Sequence, residues 1–220
     1  KHTRTPEASD LHDVLDVPMF SELPDGSATL YVAMGCFWGA ERIFWKIPGV
    51  VTTAVGYMGG HATESTYEDV CGGGTGHTET VMVAYDPSRV SERELLKAFW
   101  ENHDPTTPNR QGNDVGTQYR SAVWTTTPAQ HEAAVRIREA FQGELTRLGL
   151  GTCVTTIEDA ADAPAQFGGP YYLAEDYHQQ YLHKNPGGYC NHGPNGLTCQ
   201  VGILRQDEVP SQESVLRQEG

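Results

Sequence analysis

Along the first 125 positions, short apolar runs typical of strands are separated by segments with apolar residues at helical spacing. Short β-branched and aromatic runs predict four strands, at residues 29–34, 52–57, 79–85 and 121–125. Apolar residues at helical spacing over 39–47 predict a helix that ends at Pro48 and Gly49. Ser91 and Glu94 form a capping box, which predicts a second helix to about Asn102. The predicted element order is therefore β-α-β-β-α-β.

This order is typical of an α+β protein with the ferredoxin-like (split βαβ) plan, a two-layer sandwich of helices on one sheet. The remaining patterns predict additions to that core. They are a long glycine-rich loop over 59–77, a helix from Pro128 to about Leu148 capped by Thr127, a strand at 153–157 and a last helix at 173–183. A long irregular C-terminal coil is expected after the last helix.

Composition narrows the class of protein. The chain has 220 residues, a formal net charge of −14 and a pI near 4.9. This acidic balance argues against nucleic acid as a partner, because phosphate binding requires clustered Lys and Arg. No apolar stretch is long enough to cross a bilayer, so we expect no membrane contact. Five cysteines at irregular spacing favour reduced thiols with a redox role, and we expect a cytoplasmic protein.

Cys36 stands between the first predicted strand and the first predicted helix. The free N–H groups of a helix N-terminus favour thiolate over thiol, so we expect the pKa of Cys36 to be lowered. Phe37 and Trp38 follow at once and place two aromatic side chains beside the sulfur. The alternative is a buried cysteine among core aromatics. The flanking glycines favour the reactive interpretation, because they let the backbone turn sharply and a substrate come close.

Polar groups in several loops are further candidates for a site. Glu79 opens an apolar strand, so its burial would raise its pKa and let the acid donate a proton near neutral pH. Asp114 and Tyr119 lie in a polar, glycine-punctuated connection over 109–121. Tyr67 and Tyr181 carry hydroxyls that could point into a pocket. A solvated strand end, a solvated connection and ordinary packing of tyrosines are the alternatives.

The C-terminal coil carries Cys190 and Cys199 in a glycine-rich stretch over 185–200. An exposed, mobile coil could bring a thiol to Cys36 or to a partner protein. A zinc site must also be considered because His178, His183 and His192 are nearby, although no CxxC pair is present. Inert cysteines are the third interpretation.

Nine segments together resemble the peptide methionine sulfoxide reductases of the A type. In order they are GCFWG at 35–39, PGV at 48–50, GYMGG at 56–60, TY at 66–67, TGHTE at 75–79, YDP at 85–87, FWENHDPT at 99–106, QGNDVGTQYRS at 111–121 and AEDYHQQYLHKNP at 174–186. The resemblance covers about residues 30–199. It implies a reductase domain over 27–200 that includes the cysteine-bearing coil, with an irregular extension at 1–26 and a polar tail at 201–220.

The resemblance implies how the sulfoxide is reduced. Cys36 is the implied nucleophile that attacks the sulfoxide sulfur, and Glu79 is the implied acid for its oxygen. Tyr67 and Tyr119 would polarise that oxygen, and Asp114 would help organise the site. In addition, Phe37 and Trp38 would enclose the S-methyl group, with Tyr181 near the pocket.

The resemblance also implies how the enzyme is reset. Oxygen transfer leaves a sulfenic acid on Cys36, which Cys190 resolves as a disulfide and Cys199 passes to thioredoxin. Cys71 has no catalytic place in this scheme. The expected substrate is methionine-S-sulfoxide, free or in oxidised proteins, and the expected function is protein repair under oxidative stress. We expect a monomer with no cofactor and no metal ion.

Two other classes of function stay open from the residues alone. Cys36 could serve a cysteine hydrolase or acyltransferase if it were paired with His77 or His103. Alternatively, the tail could form a non-catalytic thiol or zinc-binding module. Neither explains the aromatic pair and TGHTE together.

Overall fold

A computed structural model describes residues 9–63, 65–161 and 171–196. Within these ranges the chain forms eight strands and five α-helices. In chain order they are β1 (Ala28–Met34), α1 (Phe37–Trp45), β2 (Val50–Met58), α2 (Tyr67–Cys71), β3 (Thr78–Tyr85), α3 (Glu92–Glu101), β4 (Arg110–Gln111), β5 (Asp114–Val115), β6 (Ser121–Thr125), α4 (Pro128–Arg147), β7 (Thr156–Asp159), β8 (Tyr171–Leu173) and α5 (Tyr181–Lys184). Short 3₁₀ turns lie at Thr117–Tyr119 and Asp176–His178.

Six strands form one sheet in the order β7-β6-β1-β3-β2-β8. All neighbouring pairs are antiparallel except β6 and β7, which are parallel. Strand β3 lies between β1 and β2, and its register places Glu79 opposite Tyr57. Because β1 runs antiparallel to β3, the residue after β1 emerges beside the start of β3. This is the edge at which the site forms.

Alternating side chains of the sheet build two apolar clusters. One face packs against α1, α3 and α4, with Phe44, Phe99 and Phe141 fully buried between the layers. The other face buries Trp124, Tyr171 and Met19, the last from the segment before β1. The chain is therefore a mixed α/β protein whose sheet is covered on both sides. Among the described helices, none has the length and apolar character needed to span a bilayer.

Local sequence signals located the main elements correctly. The four predicted strands match β1, β2, β3 and β6 within one or two residues, and the helix after Cys36 is α1. The capping box between Ser91 and Glu94 is present at the start of α3. Thr127 caps α4 by accepting a hydrogen bond from the backbone N–H of Gln130. These signals act within one turn of chain, so sequence alone reveals them.

Three predicted elements differ from the structure. The predicted last helix at 173–183 is wrong, because Gln180 adopts a left-handed φ of 48° and separates a strand and a 3₁₀ turn from α5. The long loop at 59–77 contains α2, which begins at a capping box formed by Thr66 and Asp69. The strand predicted at 153–157 begins only at Thr156 and runs to Asp159.

Candidate active site

Cys36 occupies the turn between β1 and α1, where it is the N-cap residue of the helix. Its side chain is buried, with 7% exposed. Gly35 precedes it at a φ of +96°, and an added Cβ there would lie 2.6 Å from the side chain of Gln111. Glycine is therefore required both for the backbone conformation and for the space. The turn holds the sulfur at the edge where β3 begins.

Glu79 lies on β3 with its carboxyl group buried next to Cys36. The backbone N–H of Phe37 donates a hydrogen bond of 2.9 Å to its Oε2. Burial raises the pKa of Glu79 to about 8, the negative charge of Asp114 adds to this rise and the Phe37 hydrogen bond opposes it. The carboxyl group therefore keeps its proton at neutral pH, as the sequence suggested.

The pKa of the Cys36 thiol is raised, not lowered as expected. Burial has the largest effect, and the negative charge of Glu79 acts in the same direction. Hydrogen bonds from the backbone N–H groups of Trp38 and Gly39 lower the pKa but do not compensate. The expectation was wrong because the sequence shows the helix terminus but not the burial of the sulfur. Burial of the sulfur therefore favours the thiol form of Cys36 in the free protein.

Tyr67 and Tyr119 are half-buried and lie near enough to Glu79 to be affected by its charge. Burial raises the pKa of both phenols, and the charge of Glu79 raises each further. Both hydroxyls therefore remain protonated and can donate hydrogen bonds. The hydroxyl of Tyr67 donates to the sulfur of Cys71, which lies at the exposed end of α2. Cys71 is thus beside the site, which the sequence did not indicate.

An aromatic wall extends from Cys36 along α1. The rings of Trp38 and Tyr181 stack at a centroid distance of 3.7 Å with 12° between their planes. The indole Nε1–H of Trp38 donates to Nδ1 of His178 at 3.0 Å. Phe37 is buried against His178, with ring centroids 5.1 Å apart. The predicted pocket residues Phe37, Trp38 and Tyr181 therefore meet, and His178 joins them.

The segment 175–180 supplies polar residues that sequence reasoning missed. The Glu175 carboxylate accepts hydrogen bonds from the Tyr57 hydroxyl at 2.7 Å and from the Tyr67 backbone N–H at 2.8 Å. The amide of Gln179 bonds to both backbone groups of Val55. The run AEDYHQQ at 174–180 was a detectable signal against a helix that packs on the core. Six of its seven residues are polar or aromatic, which leaves no aliphatic face for such a helix.

Asp114 lies on β5 and connects the site with the C-terminal coil. Its carboxylate accepts hydrogen bonds from the Asn191 amide at 2.9 Å and from the Tyr189 hydroxyl at 3.3 Å. It also raises the pKa of Glu79 and Cys36 through its charge. Asp114 therefore acts on Glu79 and Cys36 electrostatically and binds the coil by hydrogen bonds.

Cys190 is held against α1 by the residues around it. The guanidinium of Arg42 donates to its sulfur at 3.1 Å. A Cβ on Gly39 would lie 2.8 Å from that sulfur, so glycine makes room for it. His192 anchors the coil by donating from Nε2 to the carbonyl of Met34 at 2.6 Å. The residues around Cys190 are thus hydrogen-bonded to α1 and β1, whereas residues 185–187 and Tyr189 are exposed, and the mobility of the coil stays a prediction; Cys199 lies outside the described residues.

The alternative chemistries find no support in this geometry. Both ring nitrogens of His77 are engaged, by the Gly60 N–H and the Ala62 carbonyl. Those of His103 bond to the Phe99 carbonyl and the Ser121 hydroxyl. Neither histidine is available to activate Cys36. Across the described ranges, no group of three or more His, Cys, Asp and Glu side chains could hold a metal ion.

Comparisons with known proteins agree on one family. A sequence profile described as peptide methionine sulfoxide reductase matches residues 28–201. Proteins named peptide methionine sulfoxide reductase from Salinispora arenicola and Caulobacter vibrioides are 55% and 56% identical over 199 and 180 residues. These alignments cover 90% and 82% of this chain and 87% and 79% of the relatives.

Two solved structures are also similar. The structure titled methionine sulfoxide reductase A of Corynebacterium diphtheriae has 47% identity and a TM-score of 0.78, with 90% of this chain and 92% of that chain covered. Reduced Mxr1 from Saccharomyces cerevisiae has 36% identity and a TM-score of 0.68, with 77% and 92% covered. The family, relatives and structural neighbours all match the same core.

Proposed function

The chain belongs to the peptide methionine sulfoxide reductase family, and on that premise we propose that Cys36 attacks the sulfur of methionine sulfoxide while Glu79 protonates its oxygen. The protein is an oxidoreductase that reduces methionine sulfoxide. The observation that carries the proposed roles is the hydrogen bond from Phe37 N–H to Glu79. It holds a protonated acid beside the one thiol at the start of α1.

The first step conserves protons as well as oxygen. The sulfur of Cys36 forms a bond to the sulfoxide sulfur as Glu79 gives its proton to the sulfoxide oxygen. The thiol proton passes to Glu79. The hydroxyl group then moves from the substrate sulfur to the Cys36 sulfur, which breaks the S–O bond and the transient S–S bond and leaves a sulfenic acid on Cys36 and free methionine. A neutral sulfoxide is a poor electrophile, so the acid is required to draw electrons away from its sulfur. A thiol and an acid that both hold protons at pH 7 supply what this step needs.

Five aromatic residues orient the substrate. Phe37 and Trp38, with Tyr181 stacked on Trp38, form an apolar surface for the S-methyl group. Tyr119 would donate a hydrogen bond from its protonated hydroxyl to the sulfoxide oxygen near Glu79, and Tyr67 would give up its hydrogen bond to Cys71 to do the same. An apolar wall opposite a set of donors distinguishes the methyl group from the oxygen. This arrangement favours one sulfoxide epimer, which we assign as S.

The second half of the cycle uses the coil. The thiol of Cys190 attacks the sulfenic acid on Cys36, which releases water and forms a disulfide. Cys199 then exchanges into that disulfide, and the dithiol of thioredoxin reduces the resulting Cys190–Cys199 bond. The contact of Cys190 with α1 supports this route, because it holds the second thiol three residues along the helix from Cys36.

The finer organisation follows from the same premise. Strands β1 and β2 are parallel to each other, with β3 between them and β6 on the far side of β1, which supports the ferredoxin-like (split βαβ) plan for the core. The reductase domain is proposed to span 27–200, between an extension at 1–26 and a tail at 201–220. We further propose that the protein acts as a monomer in the cytoplasm.

One assay tests the proposed function. The reduced protein is incubated with racemic methionine sulfoxide and dithiothreitol, and the two epimers are separated by chiral chromatography. Only the S epimer should disappear, and Cys36→Ser should consume neither. Equal loss of both epimers would contradict the proposed pocket, and activity in Cys36→Ser would contradict the nucleophile.

A matched variant tests the relay. Cys190→Ser should reduce one equivalent of sulfoxide at the wild-type rate and then stop with a sulfenic acid on Cys36, detected by mass spectrometry with dimedone. Wild-type protein with thioredoxin should turn over repeatedly. Sustained thioredoxin-driven turnover by Cys190→Ser would contradict the relay.

A further inference from the structure

The carboxyl group of Glu41 is fully buried on α1, and within the described residues none of its hydrogen bonds comes from a candidate catalytic residue. Three hydrogen bonds satisfy it. The backbone N–H of Gln180 donates to Oε2 at 2.9 Å, and the Gln180 side-chain amide donates to Oε1 at 2.7 Å. The hydroxyl of Thr53 on β2 donates to Oε1 at 2.9 Å. Glu41 therefore binds the 180 position through both its backbone and its side chain.

Gln180 needs such a partner because its backbone is unusual. Its φ of 48° lies in the left-handed region, which is costly for a residue with a Cβ. Its side chain is fully buried as well. A strained conformation persists only where surrounding contacts fix it, and Glu41 provides two of those contacts.

Gln180 lies between the two residues that contact Trp38. His178 accepts the indole hydrogen bond of Trp38, and Tyr181 stacks on the indole ring. Glu41 is three residues after Trp38 on α1, so both side chains lie on the same face of the helix. Helix α1 therefore contacts the segment 178–181 through two side chains. Trp38 contacts His178 and Tyr181, and Glu41 binds Gln180.

The remaining hydrogen bonds form a chain from His12 through Thr53, and the Glu41 carboxylate is its final acceptor. Nδ1 of His12 accepts from the backbone N–H groups of Val14 and Leu15, so its Nε2 carries the hydrogen. That Nε2–H donates to Thr53, whose hydroxyl donates in turn to Glu41. Every group around the carboxyl is a donor, and an amide at position 41 could not accept from all of them.

We propose that Glu41 is a positioning residue for the sulfoxide pocket: it fixes Gln180 and thereby holds His178 and Tyr181 against Trp38. The inference rests on the proposed role of Trp38 in enclosing the S-methyl group. Glu41 touches no reacting atom. Its loss loosens the pocket wall, so it weakens substrate binding and widens the space for the alkyl group while the chemical step continues.

The test measures single turnovers of methionine sulfoxide and of ethionine sulfoxide, which carries one more methylene. Glu41→Gln should raise the half-saturating concentration about tenfold and remove most of the preference for methyl over ethyl, since a methylene alone is discriminated by roughly 10-fold or more in a fitted pocket. The maximal rate should stay within about twofold of wild type, because the chemical groups are intact. Asparagine tolerates a left-handed φ, but its side chain is too short to reach Glu41. Gln180→Asn should therefore change both quantities in the same direction as Glu41→Gln.

A control and an exchange separate positioning from stability. Gln130 is another buried amide, bonded to the Thr29 carbonyl and the Tyr85 hydroxyl at the opposite end of the sheet. Gln130→Leu should lower the melting temperature without changing either kinetic quantity. The double variant Glu41→Gln with Gln180→Glu restores an acid–amide pair and should recover part of the methyl preference.

A readout without substrate keeps this inference separate from the proposed function. Trp38 is half-buried, whereas Trp45, Trp100 and Trp124 are buried, so acrylamide quenching of fluorescence reports mainly on Trp38. Glu41→Gln and Gln180→Asn should increase quenching, and Gln130→Leu should not. Unchanged quenching and unchanged methyl preference in folded Glu41→Gln would overturn the inference, while an inactive wild type would overturn only the proposed function.

Discussion

Two buried carboxyl groups, Glu41 on α1 and Glu79 on β3, have opposite surroundings. Burial raises the pKa of both, to about 7 for Glu41 and about 8 for Glu79. Glu41 accepts three hydrogen bonds, which occupy both of its oxygens. Glu79 accepts one, from Phe37 N–H, within the described part of the chain. The pKa direction alone would not tell the two groups apart.

The difference lies in unused hydrogen-bonding capacity. A carboxyl group whose oxygens are all engaged stabilises the structure around it, because a new ligand would have to displace a partner. A buried acid with one free oxygen beside a thiol can bind and protonate an incoming sulfoxide. The comparison therefore assigns Glu41 to the support of the pocket and Glu79 to chemistry.

The same substitution at both positions should give the largest contrast in rate. Glu79→Gln should lower the single-turnover rate at pH 7 by about 10²- to 10³-fold, because the amide can hydrogen-bond the sulfoxide but cannot protonate it. Glu41→Gln should leave the maximal rate nearly unchanged. Rapid-quench measurement of methionine formation checks both, and an equal loss of rate in the two variants would abolish the distinction.

Stability should show the reverse order. Glu41→Gln puts a second donor against Gln180 or Thr53 and should lower the free energy of unfolding by about 2–3 kcal/mol. Glu79→Gln should change it by less than about 1 kcal/mol, because the native carboxyl group is already protonated and makes one hydrogen bond. Urea denaturation at pH 7 compares the two. A greater loss in Glu79→Gln would mean that Glu79 is the structural member of the pair.

The pH dependence should separate the two groups with a smaller effect. Glu79 acts as its acid form, so the single-turnover rate should fall as pH rises through about 8, by about tenfold per unit above it. The decline should persist in Glu41→Gln and disappear in Glu79→Gln. Its persistence in Glu79→Gln would assign the proton to another group. Rates measured from pH 6 to 10 with dithiothreitol-free, prereduced protein provide the test.

The fold could be predicted from the sequence wherever the contacts that determine an element are local. Ser91 and Thr127 cap helices through contacts three residues away, and the four main strands are apolar, β-branched runs of five to nine residues. The prediction of a helix around Gln180 was wrong because the conformation of this segment depends on Glu41, which lies 139 residues earlier in the chain. No local pattern encodes that partner, so periodicity gave the wrong element.

The candidate site could be predicted in part, because some of its residues are neighbours in the sequence. Cys36, Phe37 and Trp38 are adjacent in sequence, and Glu79 was found from the apolar strand that follows it. The pKa of Cys36 was predicted in the wrong direction because burial depends on the folded packing around it. Glu41 was missed because an acid next to Arg42 on a helix is ordinarily a solvated pair. The proposed roles of these residues remain predictions.

The contact between Arg42 and Cys190 joins residues separated by 148 positions. A ribosome adds about 5–20 residues per second, so Cys36 is made on the order of ten seconds before the thiol proposed to regenerate it. His178, which contacts Trp38, is likewise made long after Trp38. A nascent chain therefore carries its proposed nucleophile without the pocket or the second thiol, and the site can assemble only after residue 190 has left the ribosome.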